Sequence, residues 1–194
     1  MKRSIPDGVW PTLVTPFDAD DAVDLRALEA IVEWQIARGV AGLFSVCQSS
    51  EMFTMTLRER LELARSVVRC ANGRLPVIAS GHVADSMCEQ VDEAKAMADT
   101  GVDAVVLVTN RFAGRDEGDD VFRSNLERLT SAVGDEVTLG LYECPFPYTR
   151  LLTPELADRV IDAVMDGPLQ RPCTEHRVEA HLGQFGQRRR RHLE

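Results

Sequence analysis

The chain is expected to fold as an α/β protein with a parallel sheet, and three observations carry that expectation. Short β-branched runs alternate with longer helical patterns through residues 1–166, the runs begin 28 to 34 residues apart, and the helices between them carry paired start and stop signals. A beat of about 30 residues is that of one βα unit in a (β/α)₈ barrel, where eight units take about 250 residues. The 194 residues here leave room for about five units. A complete five-stranded open doubly wound sheet fits that length as well, so periodicity alone leaves both architectures open.

The five strands are expected at residues 9–15, 42–46, 76–81, 104–109 and 137–142. After the first, Leu25, Leu28, Ile31, Val32 and Ile36 form one apolar stripe that stops before Gly39, a residue suited to a helix C-terminus. Thr56 and Glu59 make a capping box ahead of the stripe Leu57, Leu61, Ala64, Val67 and Val68. Ser86 and Glu89 repeat that device before Val91, Ala94 and Ala98, with Gly101 following. Val121, Phe122, Leu126 and Leu129 run on to Gly134, and Thr153-Pro154 opens a last helix with proline in its first turn, where no donor is lost.

Composition is that of an ordinary globular chain, 44% hydrophobic and 27% charged. The first eight residues have no apolar stretch behind Lys2 and Arg3, and no later run approaches membrane-spanning length, so a cytoplasmic setting without membrane contact is expected. Five cysteines, odd in number and in no Cys-x-x-Cys pair, agree with reduced thiols. Charge is uneven. Residues 1–166 carry 16 basic against 28 acidic side chains, whereas residues 167–194 carry 6 against 3. The acidic body argues against nucleic acid as a partner. The last segment has two prolines before residue 173, no apolar run, three of the four histidines and the run Arg188 to Arg191. Residues 1–166 are therefore expected to form one unit and residues 167–194 an irregular basic tail, as a reading-frame shift or a cut near codon 166 would produce. Cys173, His176 and His181 match no four-ligand zinc spacing, so no metal site is expected.

Chemistry is expected at the strand ends. Tyr142 closes the apolar run 137–141 and is followed at once by Glu143-Cys144-Pro145, which puts a phenol where a buried strand stops and a proline-stiffened loop begins. Carboxyl ends of parallel strands are where α/β proteins bind ligands, because the strands hold still while the loops vary. His82 and Glu51, near other strand ends, are candidate acid or base groups.

Five segments then fall in order. They are Gly8-Val9-Trp10-Pro11-Thr12-Leu13-Val14-Thr15-Pro16-Phe17, Val46-Cys47-Gln48-Ser49-Ser50-Glu51, Leu57-Arg58-Glu59-Arg60, Arg74-Leu75-Pro76-Val77-Ile78-Ala79-Ser80-Gly81 and Tyr142-Glu143-Cys144-Pro145. In this series the chain resembles the dihydrodipicolinate synthase and N-acetylneuraminate lyase family over about residues 5–165. The resemblance implies an incomplete (β/α)₈ TIM barrel. It also implies a lyase or aldolase chemistry without a cofactor, in which pyruvate or another 2-oxo acid forms an imine with a lysine and the enamine adds to, or is released from, an aldehyde. The parent family is homo-oligomeric.

The resemblance assigns roles residue by residue. Gln48, Ser49 and Ser50 stand where the family cradles the substrate carboxylate, with Gln48 in place of a threonine and Cys47 and Ser50 in place of glycines. Tyr142 stands at the proton-carrying phenol. Phe112 occupies the position of a tyrosine that one branch lends to a neighbouring subunit, and Pro147 that of a substrate-selecting arginine, with Tyr148 and Arg150 nearby. The imine-forming lysine would fall around residues 170–173, where this sequence has none. Its two lysines are Lys2 and Lys95. The other reading of the same residues is an inactive truncated fragment that binds small carboxylates or associates with intact homologues.

Overall fold

A computed structural model describes residues 5–134 and 137–165. Four parallel strands, β1 (Leu43–Phe44), β2 (Val77–Ala79), β3 (Ala104–Val108) and β4 (Leu139–Tyr142), pair in the order β1-β2-β3-β4. Between and around them run α1 (Leu25–Ala37), α2 (Leu57–Ala71), α3 (Met87–Ala98), α4 (Asp119–Val133) and α5 (Pro154–Met165). The expected first strand extends the sheet on the far side of β1. Thr12 bridges Phe44 in parallel, the Leu13 amide donates to the Phe44 carbonyl at 2.9 Å, and the Phe44 amide donates to the Pro11 carbonyl at 3.1 Å. Pro11, whose position faces β1, brings no amide donor to this ladder.

Spatial order therefore follows chain order from the first segment onward. A flavodoxin-type sheet would insert the first strand between the second and third. That alternative is overturned, and the sheet is an arc of a barrel. The short strands β1 and β2 continue as hydrogen bonds beyond their bounds, with the Ser45 amide donating to the Ile78 carbonyl at 2.8 Å and the Ser80 amide to the Val46 carbonyl at 2.7 Å.

Alternation along the strands separates two apolar layers. Leu43, Val77, Ala79, Val105 and Leu107 are buried against the helices, in one core with Leu28, Val32, Leu63, Met97 and Leu126. Phe44, Val106 and Cys47 form a second, smaller cluster with Ile78 and Tyr142 on the concave side. Each residue of β4 is half-buried.

The Thr56–Glu59 box is closed on both sides as expected, while the expected Ser86–Glu89 box closes on one, the Ser86 hydroxyl accepting from the Glu89 amide; Asp24, which sequence reading passed over, caps α1 by accepting from the Arg26 and Ala27 amides. The apolar stripe of α2 is corrected: its buried face is Arg60, Leu63, Ala64, Val67 and Ala71, while Leu57, Leu61 and Val68 are half-buried. Arg60 is tolerated inside because its Nη2 meets Glu93 Oε1 at 2.6 Å and its Nη1 donates to the Gly81 carbonyl. Glu93 Oε2 in turn accepts from the Val83 and Ala84 amides, at 2.6 and 3.0 Å. This buried network fixes the loop between β2 and α3.

Among the described residues no helix is long and apolar enough to cross a membrane, and no group of three or more His, Cys, Asp or Glu is placed to hold a metal ion. The basic tail, the Cys173, His176 and His181 set, the position expected for the lysine, and Lys2 lie outside the described residues.

Candidate functional site

The carboxyl ends of β1, β3 and β4 converge. A single 3₁₀ turn follows β1 at Gln48–Ser50, another follows β3 at Thr109–Arg111, and a strap from Glu143 to Arg150 follows β4. Tyr142 is in register with Val108 and packs edge-on against Phe44, with ring centroids 5.9 Å apart. Burial pushes its phenol up to about 12, and the thiols of Cys144 and Cys47 push the same way. At neutral pH the Tyr142 phenol is therefore protonated.

The three residues after β1 have different fates. Ser50 is fully buried, and its hydroxyl serves the carbonyls of Leu13 and Ser45 while accepting from the Cys47 amide at 3.3 Å. It ties the first segment to β1 and turns no hydroxyl outward, which departs from the ligand-facing role the resemblance gives it. Thr15 reinforces the tie through the Ser50 carbonyl, at 2.9 Å. Ser49 is exposed and Gln48 is half-buried. Cys144 Sγ lies 3.4 Å from Gln48 Oε1, a contact that joins the loops after β1 and β4.

Asn110, which sequence reading passed over, organises the strap. Its Nδ2 lies within 2.7 to 2.9 Å of the carbonyls of Cys144, Phe146 and Tyr148. A short polar side chain where an apolar strand gives way to a turn was the available signal. The candidates Tyr148 and Arg150 are spent in the same seam. The Tyr148 hydroxyl donates to the carbonyls of Asn110 and Ala113, and Arg150 reaches the Gly114 and Glu117 carbonyls and Asp119 at 3.0 to 3.2 Å. Both terminal nitrogens of Arg150 are thus engaged within the seam, while its Nε is buried without a partner among the described residues.

His82 and Phe112 are core residues. His82 is fully buried, its Nε2 accepts from the Val108 amide at 3.3 Å, and its ring lies 5.6 Å from that of Phe112. Burial lowers its pKa to about 3, with Arg111 and Arg60 adding to the effect, so the ring is neutral across the physiological range. Phe112 also meets Phe122 edge-on, so it faces inward and not toward another subunit. Glu51 is exposed in a left-handed turn, and Lys95 is exposed on α3, in the outer layer. A cleft of about 350 Å³ bordered by Gln90, Asn110, Arg111 and Tyr148 includes neither Tyr142 nor Gln48.

Comparison with known proteins agrees with this geometry. A model of the Dihydrodipicolinate synthetase family matches residues 5–115. A 4-hydroxy-tetrahydrodipicolinate synthase of Chelativorans sp. is 43% identical over 102 residues, 53% of this chain and 34% of that protein. The solved dihydrodipicolinate synthase of Bacteroides thetaiotaomicron superposes with a TM-score of 0.72 at 31% identity, covering 82% of this chain and 52% of that one. The chloride-inhibited enzyme of Acinetobacter baumannii, solved with pyruvate, superposes with a TM-score of 0.66 at 26% identity, covering 83% and 61%. The chain thus spans about a third of the length of the curated relatives it matches and about half of most of the solved barrels. With strand order, strand-end loops and family match in agreement, the chain belongs to the dihydrodipicolinate synthetase family.

Proposed function

We propose that this chain carries the carboxylate-binding and proton-carrying part of a lyase site for pyruvate or a related 2-oxo acid. One observation supports this most: Tyr142 at the end of β4 sits beside a loop contact, Cys144 to Gln48, that brings the turn after β1 to the same mouth. On this reading the half-buried Gln48 amide and the exposed Ser49 hydroxyl receive a small carboxylate. A Tyr142 phenol held protonated by burial supplies and recovers protons as bonds to the 2-oxo carbon form and break. An aldehyde is the second reactant on this reading, and no cofactor takes part. The setting we propose is the cytoplasm, consistent with four free thiols among the described residues.

The chemistry also needs an amine: its nitrogen bonds to the 2-oxo carbon and the oxygen leaves as water. Lys95 is exposed on the outer helix layer and Lys2 precedes the described residues, so we infer that this polypeptide binds the acid without forming the imine itself. Incubation with pyruvate, reduction with borohydride and intact mass measurement test the inference. The expected result is an unchanged mass alongside saturable pyruvate binding. A mass gain on Lys95 would overturn the amine part, and absence of binding would overturn the site.

A further inference from the structure

We infer that Phe53 and Phe146 are specificity-determining residues of this mouth, and that together they take the apolar, aryl-type tail of a substituted 2-oxo acid. The inference rests on the 2-oxo-acid reading above and deepens it by naming the class of acid. Phe53 follows Gln48 in the loop after β1, and Phe146 follows Cys144 in the strap after β4. Their ring centroids lie 5.0 Å apart, with the planes tilted by 58°. β1 and β4 are not neighbours, because β2 and β3 stand between them in the sheet. Side chains from their loops therefore meet by arching over the ends of the two middle strands, across the mouth. The aromatic pair and the Cys144–Gln48 contact are two such crossings.

The pair is anchored but not covered. Met52 and Met55, on either side of Phe53, are buried, and the Met52 amide donates to the Cys47 carbonyl at 3.3 Å, so the loop after β1 is held to the core. The Phe146 carbonyl faces Asn110 Nδ2 at 2.9 Å, yet the residue is 49% exposed, and Phe53 is half-buried. Two fixed rings that leave apolar faces in water gain from a third planar apolar group laid against them. With the carboxylate and the 2-oxo group of the acid held as proposed above, its chain finds this bridge as an apolar wall of the mouth.

The charges nearby argue against an acidic tail. Arg150 is directed at the Gly114 and Glu117 carbonyls and at Asp119, Arg111 at the Val83 carbonyl and Asp85, and the Arg115 guanidinium lies 5.2 Å over the Tyr148 ring. These guanidinium groups are committed to the segments that lead into α3 and α4 and to the far end of the strap. Glu51 and Glu143 belong to the same two loops as the aromatic pair, and the Glu143 carboxylate accepts from the Leu152 amide at 2.7 Å. A second carboxylate brought against the two rings would lose water without gaining one of these cations, whereas an aryl tail is favoured by the same transfer.

The test uses the full chain with pyruvate, 2-oxo-4-phenylbutanoate and 2-oxoglutarate, which share the 2-oxo acid head and differ in the tail. Calorimetric titration gives each Kd. The phenyl acid is expected to bind roughly tenfold or more tightly than pyruvate, as burial of an aromatic ring does, and 2-oxoglutarate no more tightly than pyruvate. F53S and F146S are each expected to bring the affinity ratio of phenyl acid to pyruvate close to one, and F146Y, which keeps a ring, to preserve it. Thermal midpoints and sedimentation are read for every variant, and F146S, at the more exposed ring, keeps the test independent of folding. A wild-type ratio near one, a ratio that neither serine variant lowers, or 2-oxoglutarate as the tightest probe would overturn the inference and leave the 2-oxo-acid reading in place. A serine variant that dissolves an oligomer with the ratio intact would assign the rings to contact between copies and overturn the inference too. No binding of any probe would overturn the 2-oxo-acid reading and the inference together.

Discussion

The polar side chains at the ends of β2 and β3 and those at the ends of β1 and β4 occupy equivalent places in the sheet but differ in how far they reach solvent. At β2, Arg60, Glu93 and His82 are buried and bonded to the Gly81 carbonyl, the Val83 and Ala84 amides and the Val108 amide. At β1 and β4, Ser49 is exposed, Gln48 is half-buried with unspent donors, and the Tyr142 phenol is half-buried at the edge. The β2 groups lie inside and hold backbone, although Arg60 Nε, Ser80 Oγ and His82 Nδ1 have no hydrogen-bond partner there among the described residues, whereas the β1 and β4 groups reach the surface, where a ligand can meet them.

Breaking the β2 side should cost stability first. Glu93→Gln leaves the Arg60 charge buried beside a neutral partner, with an expected loss of about 3–5 kcal/mol in chemical denaturation. An R60M/E93Q double variant, in which the amide oxygen at position 93 can still accept from the Val83 and Ala84 amides, should recover part of it, and a double variant as unstable as the single one would contradict the pair's role.

The next effect is a pH dependence from His82. Its folded pKa, about 3, lies below the ordinary histidine value, so the unfolded chain binds more protons between the two. Stability from this group is fully present above about pH 6.5 and is lost as pH falls toward 3, by roughly 4 kcal/mol at most. His82→Gln should flatten that limb of the denaturation profile. An unchanged limb would assign acid lability to other groups.

Asn110→Ala should cost about 1–3 kcal/mol, because the carbonyls of Cys144, Phe146 and Tyr148 lose their shared donor. Pyruvate affinity should fall with it, since the strap carries Cys144, which meets Gln48 across the mouth. Stability lost with affinity intact would separate the strap from the site.

The smallest effect on folding belongs to Tyr142→Phe, expected within about 1 kcal/mol of wild type because the phenol edge is half-exposed. The variant should keep pyruvate binding and lose the tyrosinate titration step near pH 12. A step that persists would assign it to another group.

Much of the fold was legible in the sequence because helix signals are local. Thr56 with Glu59 and Ser86 with Glu89 act within one turn of where they stand; the first closes the box as read and the second closes half of it. The choice between barrel arc and doubly wound sheet was not local, since it depends on which strand the first segment joins. The site was legible at Tyr142, where a strand stops at a proline loop. It was less legible at Ser50, Asn110, Tyr148 and Arg150, whose partners lie 31 or more residues away for their defining bonds, Ser50 to Leu13 and Asn110 to Cys144 among them. Arg60 was hidden for the same reason, because its partner is on α3 and a charged residue in a helix reads as solvent-facing.

The most direct measurement is a pyruvate titration of the full chain followed residue by residue with NMR. The account predicts saturable shifts centred on Gln48, Ser49 and Tyr142, with Lys95 and the Gln90–Asn110 cleft unmoved. Shifts confined to that cleft or to α3, or no saturable shift at all, would contradict it.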